Sequence, residues 1–261
     1  RMQEKQTSKL ATHSAASLGS NQNPPRLLPE RFCPLPWSSV CAQPWAMTLC
    51  CSSTEEMRTS PNETIRDMRR NSNYRRVRED FLSGRWPKEC RVCEHVESQG
   101  QRSLRMDSID RWLKNDFPLS SDPSDIELLE LSFDNLCNLK CRMCGPRHSR
   151  KWREDLKALQ NFSDIYEQFN VKWADNHIDE ASLASILPEL KSLKTVMVKG
   201  GEPLLNKRLH QFLERLVKNG VAKNCEFQMV TNGTVFHRAF FETAMEFRNC
   251  EIIVSVDGID P

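Results

Sequence analysis

Cys137, Cys141 and Cys144 stand at CxxxCxxC spacing within eight residues. Thiolates are the usual ligands of iron–sulfur clusters, and a four-iron cluster held wholly by protein takes four of them. Three therefore leave one iron open to a group that is not protein, and catalysis could begin there. The competing reading is structural zinc completed by a distant ligand. Such sites usually show paired CxxC or Cys/His spacings, and this triplet has neither a near fourth cysteine nor an HxxxH partner. A second group is Gly200-Gly201-Glu202-Pro203. Its glycines let backbone approach a small ligand without a Cβ in the way, although Gly-Gly before Pro is also an ordinary turn.

The elements that must position these groups are legible as alternating runs. Residues 128–133, 195–198, 226–230 and 252–254 are strand-like. The first runs into the cysteines, the second into Gly200, the third into Thr231-Asn232-Gly233 and the fourth into Ser255-Val256-Asp257-Gly258. Between the second and third, Leu205, Leu209, Phe212, Leu213, Leu216 and Val217 share one helical face that ends at Gly220, a C-cap residue. Strands alternating with helices predict parallel βα units, and both chemical motifs fall after strands, where an α/β barrel gathers its active-site loops.

In order and position, residues 127–261 resemble the radical S-adenosylmethionine (radical SAM) enzymes. The resemblance implies an α/β fold, a partial (β/α)6 barrel with the cysteine loop after its first strand and GGEP after its second. It assigns Cys137, Cys141 and Cys144 to a catalytic [4Fe-4S] cluster. Met143 would face the adenine of S-adenosylmethionine through its backbone, and Gly200, Gly201 and Glu202 would line the methionine end. Ser255 and Asp257 would touch the ribose or carboxylate, a role for which a capped strand-ending turn is the plain alternative; Thr231, Asn232 and Gly233 are weaker candidates. In this family an electron from the cluster cleaves the cofactor to a 5′-deoxyadenosyl radical that takes hydrogen from substrate. The chain stops at Asp260-Pro261, four barrel strands in. This predicts a truncated barrel with exposed edges and poor folding of residues 1–261 alone.

Upstream lie Cys33-Pro34-Leu35-Pro36-Trp37, then Cys50-Cys51, then Cys90-Arg91-Val92-Cys93. Cys33, Cys90, Cys93 and one of Cys50 or Cys51, with Cys51 the expected ligand, would make a four-cysteine site for zinc or for an iron–sulfur cluster. These motifs, with Glu97, Gly100 and Ser103-Leu104-Arg105 behind them, resemble the twitch or SPASM modules that accompany radical SAM cores, here placed before the core. The resemblance implies a second [4Fe-4S] cluster. Cys41, Cys225 and Cys250 have no partner at useful spacing and read as buried free thiols.

Four segments follow: residues 1–29, rich in Ser, Gln, Asn, Ala and Thr and expected to be disordered; a twitch-like module over 30–106; a linker over 107–125 with a short helix around Ile109, Trp112 and Leu113; and the core over 126–261. Trp37, Trp45, Trp86 and Trp112 are expected to pack around the module. The odd count of eleven cysteines, the metal-type spacings and the lack of a signal segment argue against a disulfide scaffold. No apolar run approaches the ~20 residues of a membrane span, so the expected location is cytoplasmic with no membrane partner. Arg66, Arg69, Arg70, Arg75, Arg76 and Arg78 form a basic stretch, but Asp67, Glu79 and Asp80 interrupt it and the net charge is only +2. A solvated helix is therefore expected there, and nucleic acid is not the expected partner. The partners implied are S-adenosylmethionine, an electron donor such as flavodoxin or ferredoxin, and, by analogy with members that carry auxiliary clusters, a peptide or protein substrate. RNA, nucleotide or small-metabolite modification is the second enzymatic reading, and a non-catalytic zinc-held interaction module the third.

Overall fold

The computed structural model describes residues 28–44, 46–53, 55–60, 63–114, 125–146, 148–158, 178 and 187–256. Most of the segment expected to be disordered, most of the linker's Ser-Asp-Pro cluster, Trp45 and Asp257 lie outside these residues. In the described part, α1 (Leu35–Ser38), β1 (Ser39–Gln43), β2 (Ala46–Thr48), α2 (Ile65–Arg70), α3 (Ser72–Leu82), α4 (Arg91–Ser98) and α5 (Leu104–Lys114) precede β3 (Leu128–Leu131). Then come α6 (Arg153–Ala158), β4 (Thr195–Val198), α7 (Lys207–Lys218), β5 (Glu226–Thr231), α8 (Arg238–Ala244) and β6 (Asn249–Val254).

The six strands form one sheet in the order β2-β1-β3-β4-β5-β6. Every neighbour pair is parallel except the β1–β2 hairpin. The expected four-strand core is therefore extended by two strands from upstream: β1 pairs with β3 from Ser39 opposite Leu128 to Ala42 opposite Leu131. The segment assigned to a separate module is thus continuous with the core sheet, and β1 covers what would otherwise be the open edge of β3.

Register gives the sheet two unlike faces, since successive side chains alternate. Val40, Ala42, Leu129, Leu131, Val196, Val198, Phe227 and Met229 share one face and are buried. Against it lie Leu209, Phe212, Leu213 and Leu216 of α7, the apolar stripe expected from their spacing. The rings of Phe133 and Phe212, and of Phe227 and Phe240, sit 5.9 Å apart. The Asn206 side chain caps α7 by accepting from the N–H groups of Arg208 and Leu209, and Gly220 follows the helix at a φ of 73°. The opposite face carries a row across the strands of Cys41, Glu130, Met197, Gln228 and Glu251.

The basic stretch is only partly solvated: Arg66, Arg70 and Arg75 are exposed, but Arg69, Arg76 and Arg78 are turned to other uses. Arg69 is fully buried and donates to the carbonyls of Ser39, Trp37 and Asp125 at 2.6–2.8 Å. Arg78 donates to the carbonyls of Pro36 and Arg69, and both guanidinium groups lie over the Tyr74 ring. Arg76 pairs with Glu89 and Asp80. Trp37 and Trp112 pack on Phe32, and Trp86 lies under the Arg105 guanidinium. Among the described residues, no helix is long and apolar enough to cross a membrane.

Candidate metal centres and active site

Parallel strands deliver the loops after β3, β4 and β5 to one edge of the sheet, where polar side chains join them. The cysteine loop starts at Asp134, which accepts from its own loop at Leu136 N–H (2.9 Å) and from Asn206 at the start of α7 (2.7 Å). Asn135, buried, donates to the Pro146 carbonyl at 2.9 Å and fastens the far side of the loop. The Ser149 hydroxyl donates to the Leu139 carbonyl, and the Cys144 N–H to the Cys141 carbonyl at 3.0 Å. Cys137, Cys141 and Cys144 are half-buried, and Met143 points outward. Leu139 N–H and the Asn232 amide both approach the Cys137 sulfur, at 3.4 and 3.8 Å; such donors tune a cluster's potential.

Gly200 and Gly201 have φ of 83° and 54°. They are required on the side facing the cysteine loop: a Cβ on Gly200 would collide with the Ser132 side chain, and one on Gly201 would lie 2.5 Å from the Leu136 carbonyl oxygen. Glu202 is buried and its carboxylate is fully engaged, accepting from Leu204 N–H, the Thr231 hydroxyl (2.7 Å) and Asn232 N–H (2.8 Å). Its own N–H donates to Leu136. Glu202, expected among the cofactor-facing residues, is thus the tie between the β3, β4 and β5 loops. Asn232 donates to Asn138, which donates to Thr234, so the Thr-Asn-Gly loop braces the cysteine loop more directly than its weak motif suggested. Ser255 is exposed, with its N–H on the Thr231 carbonyl.

The upstream cysteines meet elsewhere. Cys33, Cys50, Cys90 and Cys93 line one small cavity, partly open to solvent, with Trp86, Glu89 and Arg105. Burial pushes the Cys33 thiol up to about 12, and the charge of Cys93 adds to this while Arg105 opposes it. Cys50 and Cys90 are raised by burial first and then by the neighbouring Cys33. A bound metal reverses that preference, because it deprotonates coordinating thiols outright. Cys51, the expected ligand, is not in this group: it lies within hydrogen-bonding reach of Lys199 and Glu130 on the polar face of the sheet, and Cys50 takes its place. Of the thiols read as lone, Cys41 and Cys225 are buried and Cys250 half-buried. Among the described residues, no three Cys, His, Asp or Glu side chains close on a single point as they would around one ion.

Sequence reasoning missed Glu130 and Lys199, whose charged groups approach to 3.5 Å beside Gly200. Burial pulls the Lys199 ammonium down, but Glu130, Cys51 and Cys41 together outweigh it and the ammonium is held above its ordinary range. The available signal was a lone carboxylate inside an otherwise apolar strand, where it must find a partner.

Residues 131–261 match the family description of the radical SAM superfamily. No curated protein and no solved structure matches the chain significantly. The matched residues run from the end of β3 through the cysteine loop, the double glycine and the loops braced on them, and on this ground the chain belongs to the radical SAM superfamily, whose members use a [4Fe-4S] cluster and S-adenosylmethionine.

Proposed function

We propose that this protein is a radical SAM enzyme that modifies a peptide or protein, with the catalytic cluster on Cys137, Cys141 and Cys144 and a second iron–sulfur cluster on Cys33, Cys50, Cys90 and Cys93. The observation that carries the reading is the shared cavity of four thiols drawn from three separated segments. Thiolate donors are those that iron–sulfur clusters take, and a second cluster is what the resemblance to auxiliary-cluster proteins implies. The peptide assignment rests on the resemblance to radical SAM proteins with auxiliary clusters. The burial of Arg69 and the backbone bonds of half-buried Arg78 take two guanidinium groups out of the continuous phosphate-binding face that an RNA substrate would have favoured.

When bound, the catalytic cluster supplies the electron that cleaves S-adenosylmethionine to a 5′-deoxyadenosyl radical. The protein's part is to hold and shield it. Asp134, Asn135, Ser149 and Asn138 fix the loop that presents the three thiolates. Gly200 and Gly201 let the β4 loop lie against it, leaving backbone groups beside the open side for the cofactor's methionine end. Glu202 locks the β5 loop in place. Glu130, Lys199 and Cys51 form a polar patch on the adjoining sheet face, where a substrate would be contacted.

The test is iron, sulfide and zinc per chain after anaerobic reconstitution, with 5′-deoxyadenosine release as the activity. About eight irons are expected in the wild type, and about four in both Cys50→Ser and Cys144→Ala. Only Cys144→Ala should abolish cofactor cleavage, and Cys51→Ser should keep its iron. Zinc at the upstream site, with about four irons, would retire the second cluster; no cleavage at all would retire the enzyme. Stimulation of cleavage by a peptide digest, with none by RNA or nucleosides, supports the substrate class, and the reverse overturns it.

A further inference from the structure

The upstream cavity contains a feature that four thiols alone do not require. Arg105, only 7% exposed, lines it beside Cys33, Cys50, Cys90 and Cys93. Its Nη1 donates to the Phe32 carbonyl at 2.8 Å and to Glu30 at 3.0 Å, and Phe32 is the residue immediately before Cys33. Its Nε and Nη2 form a fork onto the Glu97 carboxylate at 2.8 and 2.6 Å. Glu97 lies on α4, the helix that carries Cys93, and also accepts from the Ser103 hydroxyl at 2.5 Å. The guanidinium face rests on Trp86 at 5.3 Å. One side chain thus ties the Cys33 segment, the Cys93 helix and the start of α5 together, while presenting a buried positive charge to the thiols.

A buried ion pair is weak evidence of added stability, because desolvation offsets much of the attraction. Its location suggests another use. Four thiolates make a cluster assembly negative, and reduction adds one more electron. A fixed cation nearby favours the reduced state, since hydrogen bonding, burial and net charge around a cluster set its potential. Arginine suits both tasks because its planar fork holds a carboxylate in two bonds and keeps its charge when buried.

We infer that Arg105 is the positioning and potential-setting residue of the upstream centre, clamping Cys33 and Cys93 and raising the reduction potential of the cluster they hold. The inference rests on the upstream cavity holding an iron–sulfur cluster rather than zinc. Glu97, on the far side of the guanidinium, partly offsets the charge, so removing each partner should move the potential in opposite directions.

The experiment is an EPR-monitored dithionite titration of the reconstituted full chain, with iron counted in the same samples. Cys144→Ala serves as the common background, so that the upstream signal is read without the catalytic cluster. On that background, Arg105→Gln should shift the potential to more negative values, Glu97→Gln to more positive values, and Arg105→Lys should lie near the parent. A merely structural ion pair would lower iron content in all three without opposed shifts, and that result overturns the inference. It is equally overturned if Arg105→Gln keeps both its iron and the parent potential. If Arg105→Gln holds too little iron to titrate, Arg105→Lys and Glu97→Gln decide: a parent-like Lys variant with a positive shift in the Gln variant upholds the assignment, and any other pair of values overturns it. Zinc in place of iron in the background protein refutes the cluster reading itself, a failure separate from each of these.

Discussion

Glu202 and Gly201 show how residues of a ligand-binding motif also build the site. The Glu202 carboxylate accepts three hydrogen bonds from two loops. Glu202→Gln replaces one acceptor oxygen with a donor that faces another donor, and leaving such a buried group unsatisfied costs about 1–3 kcal/mol. We expect a lower unfolding midpoint in urea together with slower 5′-deoxyadenosine release. For Gly201→Ala, the new methyl would meet a backbone oxygen that has no flexible end to turn aside. The cost should exceed the ~1 kcal/mol of a left-handed alanine. Gly220→Ala is the control: its φ is also positive, but its Cβ would meet open space, so it should lose only that smaller amount and keep full cofactor cleavage.

The charge of helices α2 and α3 predicts a solvated surface, and their packing corrects this on one side. The pattern Ile65, Met68, Tyr74, Val77 and Phe81 buries one side, but Arg69 lies on that side too, where it donates to the carbonyls of Trp37 in α1, Ser39 at the start of β1 and Asp125 before β3. Arg69→Met should destabilise the protein by roughly 3 kcal/mol or more, since it orphans those buried acceptors. Arg75→Ala, on the exposed side of α3, should stay within about 0.5 kcal/mol. Equilibrium unfolding in denaturant separates the two. Equal effects would mean that the arginines are alike, as their sequence suggests.

The sheet joins both halves of the chain, and its buried thiols make the folded protein sensitive to alkaline pH. Burial first, and then the charge of Glu130, pushes Cys41 up to about 12; burial does the same to Cys225. An unfolded thiol ionises near 9.0. Between those values the folded state binds more protons than the unfolded state, so stability falls as pH rises from about 9 towards 12. Denaturant midpoints of the metal-free protein should therefore decline over that window, and Cys225→Ala should flatten the decline. A decline unchanged in the variant would remove Cys225 as a cause.

The cysteine loop, the double glycine, the strands around them and the α7 stripe were legible because each depends on short-range order. Three ligands within eight residues, a turn of fixed spacing and a 3.6-residue period need no knowledge of what lies across the molecule. The addition of β1 to the core sheet, the burial of Arg69 and the role of Arg105 were not legible, because each is settled by partners 30 or more residues away in sequence. The choice between Cys50 and Cys51 is the plainest case. Neighbouring residues of one type send their side chains in different directions, and only the packed chain shows that Cys50 enters the cavity while Cys51 meets Glu130 and Lys199. Residue types and spacing pointed to the chemistry and the motifs carried the resemblance to the family, whereas tertiary structure decided which like residues take part, because burial and direction belong to the fold and not to the residue type.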